Sequence, residues 1–283
     1  MNGPSRTGAP ITKPGTPTIF ITGAASGIGR ATALLFAVRG WYVGISDVDE
    51  AALSALAATL GSERCVASVL DVNDVPAYQR AMESFARCTN GRLDVLFNNA
   101  GIVRMGLNET VSLADQHRIV DTNVKGVLTG VAVALPLLKA TRGARIVTMS
   151  STSSLYGVPE LAVYSAAKHA VGALTEALNL ELERHGIFVC DVVAPYVRTP
   201  LVTAADRRAY SVVKTGIHLR PEQVADVVWQ TAHRNRLHWR IHHLTHVLGF
   251  VFWLLPFLRR PLVKHLCLSP EHRARAGLPL TTR

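Results

Sequence analysis

The sequence predicts one α/β domain built on a doubly wound parallel sheet, and three observations carry that expectation. From Thr18 onward, short β-branched runs alternate with segments of helical period, the pattern of successive βαβ units. Several runs are nearly continuous in apolar residues, as in Val95-Leu96-Phe97 and Ile146-Val147-Thr148-Met149, which suits strands covered by helices on both faces. The 283 residues suffice for a large core, and no break in the alternation divides it into two domains.

Taken in order, residues 1–17 are rich in Pro, Gly and Thr and hold no apolar cluster, so they read as a flexible lead-in. Strands are expected at 18–22, 41–46, 65–70, 93–97, 145–150, 187–193 and 237–241, with helices between them. Residues 18–242 then form the domain, 199–218 a lid beyond the sixth strand, and 243–283 an apolar, basic extension. In such a sheet ligands bind beyond the carboxyl ends of the strands, where the winding reverses.

Lys and Arg outnumber Asp and Glu by 30 to 20. Residues 18–232 balance at 19 of each sign, whereas 233–283 hold nine basic residues and one acidic. The excess is tied to an oily tail rather than to a groove-reading element, so no nucleic acid partner is expected. Cys65, Cys88, Cys190 and Cys267 are scattered without metal-site spacing, and the first residues do not read as a signal peptide. Reduced thiols in a cytoplasmic setting are expected.

The stretch Thr22-Gly23-Ala24-Ala25-Ser26-Gly27-Ile28-Gly29 follows the first strand and opens a helix. Gly23 suits a tight turn, Gly27 a close backbone approach to a pyrophosphate, and Gly29 close helix-to-strand packing. The helix N-terminus then offers free N–H groups and a positive dipole end to the phosphates. Asp47 ends the second strand, where a carboxylate binds a ribose hydroxyl pair and repels a 2′-phosphate. With Ser26 rather than a cation before Gly27, NAD is expected over NADP; Arg30 and Arg39 are the cations that would weaken the preference.

Tyr164 and Lys168 stand four residues apart, which on a helix places both on one face. A free phenol, with a pKa of about 10, is a poor base near neutrality, and an adjacent ammonium favours its phenolate.

On these residues the chain resembles the short-chain dehydrogenase/reductase family over roughly residues 18–228. The glycine turn is joined by Asp71-Val72 after the third strand, Asn98-Asn99-Ala100-Gly101 after the fourth, Asn123 in the next helix, and Ser151 thirteen residues before Tyr164. The resemblance implies a Rossmann-type domain and hydride transfer between a nicotinamide and an alcohol or ketone. It implies that Tyr164 is the general base or acid, that Ser151 holds the reacting oxygen, and that Lys168 favours the phenolate and holds the ribose. The backbone of Asn123 would carry a water in a proton path. Implied cofactor contacts are Gly23, Ser26, Gly27, Ile28, Gly29, Asp47, Asp71 at the adenine, Val72, Asn98, Ala100, Gly101, Tyr164, Lys168, Pro195, Val197 and Thr199. The family also implies a homodimer or homotetramer. The chain departs from the family's usual Pro-Gly after the sixth strand: it reads Ala194-Pro195-Tyr196-Val197-Arg198-Thr199, with no Gly after Pro195.

The tail reads Val247-Leu-Gly-Phe-Val-Phe-Trp-Leu-Leu-Pro-Phe-Leu258 and is flanked by Arg234, Arg236, Arg240, Arg259, Arg260 and Lys264. It is too short to span a bilayer, which takes about 20 apolar residues. Peripheral membrane contact through 243–265 and packing over the substrate cleft or a subunit partner are both open readings. Either favours a hydrophobic secondary alcohol or ketone (steroid, terpenoid, long-chain or aromatic), with Ser153, Tyr156 and Tyr196 expected to line it. His238, His242 and His246 recur every four residues but lack a carboxylate or Cys in register, so no metal is expected. The alternative is a catalytically silent NAD-binding regulatory or scaffold protein of the same fold, which the missing Gly would favour.

Overall fold

The computed structural model describes residues 12–204 and 209–270. Its elements run β1 (Thr18–Thr22), α1 (Gly27–Val38), β2 (Tyr42–Asp47), α2 (Glu50–Leu60), β3 (Cys65–Val69), α3 (Val75–Thr89), β4 (Val95–Asn98), α4 (Leu113–Val120), α5 (Gly126–Ala140), β5 (Arg145–Met149), α6 (Ala162–Glu183) and β6 (Phe188–Val193). They continue with α7 (Pro200–Thr203), α8 (Tyr210–Thr215), α9 (Pro221–Thr231), β7 (His238–Arg240), α10 (His243–Leu254) and α11 (Arg259–Cys267). The strands pair in parallel in the order β3-β2-β1-β4-β5-β6-β7. The winding therefore reverses between β1 and β4, where a crevice opens at the carboxyl edge.

Successive side chains of a strand point to opposite faces, and β1 is buried on both. Ile19 and Ile21 join Phe36 of α1, Leu53 of α2 and Val228 of α9 in one core. Phe20 faces the other way, into a second core with Tyr78 and Phe85 of α3, Ala134 of α5 and Leu182 of α6. This two-sided burial is the physical reason for the continuous apolar runs in the sequence.

The strand limits differ by a residue or two from those expected. Trp41 and Leu93 are buried but precede the pairing of β2 and β4, so their apolarity reflects packing rather than ladder membership. Part of the expected flexible lead-in is tied down: the Thr12 amide donates to Cys88 O at 2.9 Å, and Asn90 Nδ2 donates to Thr12 O. Residues 1–11 of that lead-in, 205–208 of the lid and 271–283 of the extension lie outside the described residues.

Gly44 sits in β2 against the edge-to-face pair Phe20 and Phe85, whose ring centroids are 5.4 Å apart. A Cβ at Gly44 would stand 2.5 Å from Phe20 Cδ2 and 2.6 Å from Phe85 Cδ2. Gly44→Ala is therefore expected to lower unfolding free energy by about 1–3 kcal/mol through overpacking. Adding Phe85→Leu should recover part of the loss in a double-mutant cycle read by urea denaturation.

Candidate active site

The site begins at the reversal point. Thr22 Oγ1 accepts the amides of Asn99 and Ala100, each at 3.1 Å, and Asn99 Nδ2 donates to the carbonyls of Thr22 and Gly23, each at 2.9 Å. This draws the loops after β1 and β4 together. Gly23 has φ +64°, and a Cβ there would lie 2.8 Å from Ala100 Cα. Gly27 has φ +51° and a Cβ would press on Thr199, while at Gly29 it would collide with the Gly23 carbonyl. The glycines thus carry three separate jobs: turn, open approach and tight packing. Ser26 caps α1 without a side-chain hydrogen bond, leaving the amides at that N-terminus directed at the cleft. Asp47 Oδ2 accepts the Ala25 amide at 2.9 Å and its Oδ1 accepts the Asp49 amide at 3.1 Å, so this carboxylate also fixes the glycine turn.

The second half comes from β5, α6 and the bend between α4 and α5. Asp121–Lys125 forms a widened π turn inside that long helix, a local feature that frees backbone groups from the regular ladder. Asn123 within it is fully buried; its Oδ1 accepts the Ile102 amide at 2.9 Å and its Nδ2 donates to Ile102 O at 2.8 Å. Ser151 follows β5, and its Oγ accepts the Ser153 amide at 3.2 Å. Tyr164 and Lys168 share the face of α6 turned to the sheet, and Lys168 Nζ lies 5.6 Å from the Tyr164 ring centroid. Lys168 is buried and donates to Met149 O at 2.8 Å.

Burial dominates the titration of both groups. It pushes the Tyr164 phenol up to about 12, against a hydrogen bond with Ser151 that pulls it down. It lowers the Lys168 ammonium to about 8, against the pull of the buried Asp191 carboxylate, which raises it. Asp191 is in turn bonded through Oδ1 to His238 Nδ1 at 2.9 Å, and this bond raises the imidazole.

One cleft of about 500 Å³ joins the two halves. Of the residues expected from the sequence, Gly23, Ser26, Gly27, Ile28, Asp47, Asp71, Val72, Ala100, Gly101, Ser151, Tyr164, Lys168, Pro195, Tyr196, Val197 and Thr199 line it. Gly29, Asn98 and Asn123 do not: Gly29 packs behind the turn, Asn98 is buried at the end of β4, and Asn123 grips Ile102. Ser153 and Tyr156, expected at the substrate, also stand outside the lining. Ser153 is buried in the turn after Ser151, and Tyr156 packs edge-on against Phe252 of α10 with centroids 5.1 Å apart. The sequence singles out the turn from Thr22 and the segment from Asn98 to Gly101, but not the bonds that join Thr22 to Asn99 and Ala100, which depend on the pairing of β1 with β4. Nor does it single out the wall of Val103, Met105, Leu161 and Val202, which carries no motif because any apolar residue of suitable size serves there. Of the three spaced histidines, His238 binds Asp191 and lies near Glu176, and His246 Nε2 contacts Arg240 O.

A doubly wound sheet with a glycine cradle at its reversal and a Ser, a Tyr and a Lys at the same edge defines an α/β protein of Rossmann type. A family model described as short chain dehydrogenase matches residues 17–209. The chain is 34% identical over 215 residues to cyclohexanol dehydrogenase of Acinetobacter sp., covering 74% of this chain and 84% of that protein. It is 33% identical to the 3-oxoacyl-[acyl-carrier-protein] reductase FabG of Thermotoga maritima, covering 74% and 87%. The structure of 3-ketoacyl-(acyl-carrier-protein) reductase from Brucella melitensis complexed with NADH superposes with a TM-score of 0.71 at 29% identity, covering 80% of this chain and 96% of that one. The chain belongs to the short-chain dehydrogenase family, and it is an oxidoreductase of the alcohol/ketone type.

The depressed Lys168 pKa makes a testable statement about stability. Below about pH 8 the native state holds a charged ammonium in a poor medium, while the unfolded chain keeps its proton up to the ordinary 10.5. The unfolded state thus binds more protons between those values, and stability from this group rises with pH across that window. Lys168→Met is expected to raise the thermal midpoint by several degrees at pH 7. The gain should shrink by pH 10, as read by scanning fluorimetry at both values.

Proposed function

We propose that the protein is an NAD-dependent dehydrogenase that interconverts a hydrophobic secondary alcohol and its ketone, with Tyr164 as the proton-transferring group. The observation that carries the reading is the convergence of Tyr164, Ser151 and buried Lys168 on the cleft that the glycine cradle opens. The cleft suits a dinucleotide: Gly27 leaves room beside Thr199, the N-terminus of α1 points in, and Ser150 Oγ is buried on its wall with no protein partner. Bound there, a nicotinamide would supply the acceptor or donor of hydride. Asp71 and Asp47 would hold the adenosine end, Lys168 the ribose, and the segments from Asn98 to Gly101 and from Pro195 to Thr199 the nicotinamide end.

In oxidation, Tyr164 Oη takes the alcohol proton while the carbinol carbon gives up hydride, and Ser151 Oγ–H donates to the oxygen that becomes the carbonyl. In reduction the same phenol gives its proton to that oxygen. A phenol near 12 is a strong enough holder of its proton for the second direction, and Lys168 favours the phenolate that the first needs. Asn123 positions Ile102 on the cleft, and the π turn around it leaves backbone groups for a proton path.

Three observations support NAD. Asp47 presents a carboxylate at the end of β2, and Arg39 is drawn to the far end of α1, 3.8 Å from Asp226 and stacked on Trp229. The cations that line the cleft are Lys168 and Arg118, and Arg118 stands on α4 within 3.8 Å of Asp115. An apolar substrate is supported by Val103, Leu161, Val202, Tyr196 and Met105 around Tyr164. The four buried free cysteines fit a reducing, cytoplasmic compartment. Exposed Leu128 on α5 and Leu180 on α6 fit a dimer or tetramer through those helices.

Purified protein with NAD and a panel of apolar secondary alcohols is expected to form reduced cofactor. Tyr164→Phe should cut kcat/KM by about a thousandfold while cofactor binding by calorimetry persists. Tight NAD binding without turnover across the panel would instead establish the silent cofactor binder. Asp47→Ser removes a negative charge that a 2′-phosphate would meet, and is expected to raise the ratio of NADP to NAD efficiency by about tenfold.

A further inference from the structure

Eight of the ten units of excess positive charge fall in residues 233–283, and the same segment carries a run of exposed large apolar side chains. Val247, Phe250, Trp253 and Leu254 of α10, and Phe257 just after it, are each more than half exposed, and Trp253 reaches 76%. Phe250, Trp253, Leu254 and Phe257 recur at i, i+3, i+4 and i+7, the stripe by which a helix ordinarily faces a core. Here the stripe faces outward, with the Phe250 and Trp253 rings 6.3 Å apart. The inner side is carried by Thr245 and Phe252, both buried. Directly after the stripe come Arg259 and Arg260, both exposed, and then Lys264 one turn into α11. No carboxylate lies between Asp226 and Glu271 to balance them.

We infer that this knuckle seats the protein on an anionic lipid surface, with the aromatic stripe in the interface and the cations at the headgroups. Length decides against a span: α10 has 12 residues, about 18 Å of helix, against a hydrocarbon core of about 30 Å. The axis then bends by 116° into α11, which returns the chain to the body of the protein. A helix with large aromatic residues outward and cations at its border suits the boundary between headgroup and acyl chain. A second copy of the chain would have to bring acidic groups to match the cations, and this segment has none to offer its own twin.

The seat packs against the wall of the cleft. Phe252 packs on Tyr156, while Val263, Leu266 and Cys267 of α11 share one apolar cluster with Tyr156, Tyr164 and Tyr196. The proposed membrane seat is therefore packed against the same apolar wall that flanks the Tyr164 phenol. Any bearing of that contact on catalysis rests on the activity proposed above; the docking does not.

The test uses the full chain and sedimentation with vesicles of phosphatidylcholine alone or with roughly one-third phosphatidylserine. Binding to the anionic vesicles is expected, at least about tenfold weaker for Trp253→Glu/Phe257→Glu and reduced similarly for Arg260→Gln/Lys264→Gln. Light scattering on the same samples gives the oligomeric state, and turnover of a water-soluble secondary alcohol without vesicles should be unchanged in both variants. Wild-type protein that stays with the supernatant overturns the inference whether or not the enzyme is active. So does a wild-type oligomer that Trp253→Glu/Phe257→Glu dissociates without any change in vesicle binding, since the stripe would then cover a second copy. Loss of activity on the soluble alcohol in wild type would count against the reaction and leave the vesicle result to stand by itself.

Discussion

Asn99 gives both hydrogens of one amide to consecutive carbonyls, those of Thr22 and Gly23, while the Thr22 hydroxyl receives the amides of Asn99 and Ala100. These four bonds span the only place in the sheet where neighbouring strands leave in opposite directions of winding. Without them, the loops after β1 and β4 would separate, and the Gly23 turn would lose the surface it rests on. Every other element of the cleft is referred to this junction. Asp47 holds Ala25 in the same turn, Asn123 holds Ile102 beyond the other loop, and Gly27 faces Thr199 across the opening.

The chemical centre is organised by a cost rather than by a gain. Removing Lys168 from water disfavours its charge, and the structure offsets this with one carbonyl bond from Met149 and the nearby carboxylate of Asp191. The result is an ammonium 5.6 Å from the ring centroid of a phenol whose own charge is disfavoured by burial. Neither group is comfortable ionised alone. A phenolate and an ammonium side by side would favour each other's charged forms, which is the coupling that the proposed proton transfer would use.

What the sequence made legible follows from how local each requirement is. The glycine turn, Asp47 and the Tyr164–Lys168 spacing are set within a few residues, so they were readable, and the alternating apolar runs showed the layers of the sheet. The bond between Thr22 and Asn99 was opaque, although both stand in segments the sequence singles out, because it crosses 77 residues and needs the strand order to be known. Ser153 and Tyr156 were misplaced for a related reason: nearness to Ser151 in sequence says nothing about which side of the wall a loop residue faces. Trp41 and Leu93 extended the expected strands because burial and ladder pairing leave the same apolar mark.

The family match ends at residue 209, yet the surroundings of Tyr164 do not. Val212 of α8 and Cys267 of α11 are buried in the same cluster as Val103 and Leu161, and Lys214 Nζ ties α8 to His265 O at 2.7 Å. Tyr196 is fastened to Ser211 by a 2.7 Å bond between their hydroxyls, which fixes the segment where the family pattern lapses. A bulky residue after Pro195 is thus accommodated beside α8, and no positive φ calls for glycine between Ala194 and Thr199. Residues of α8 and α11 and the Tyr164 ring share one apolar cluster beside the cleft. The glycine turn, Ser151, Tyr164 and Lys168 sit at the sheet edge within the family match, whereas part of the apolar wall beside them comes from residues beyond it.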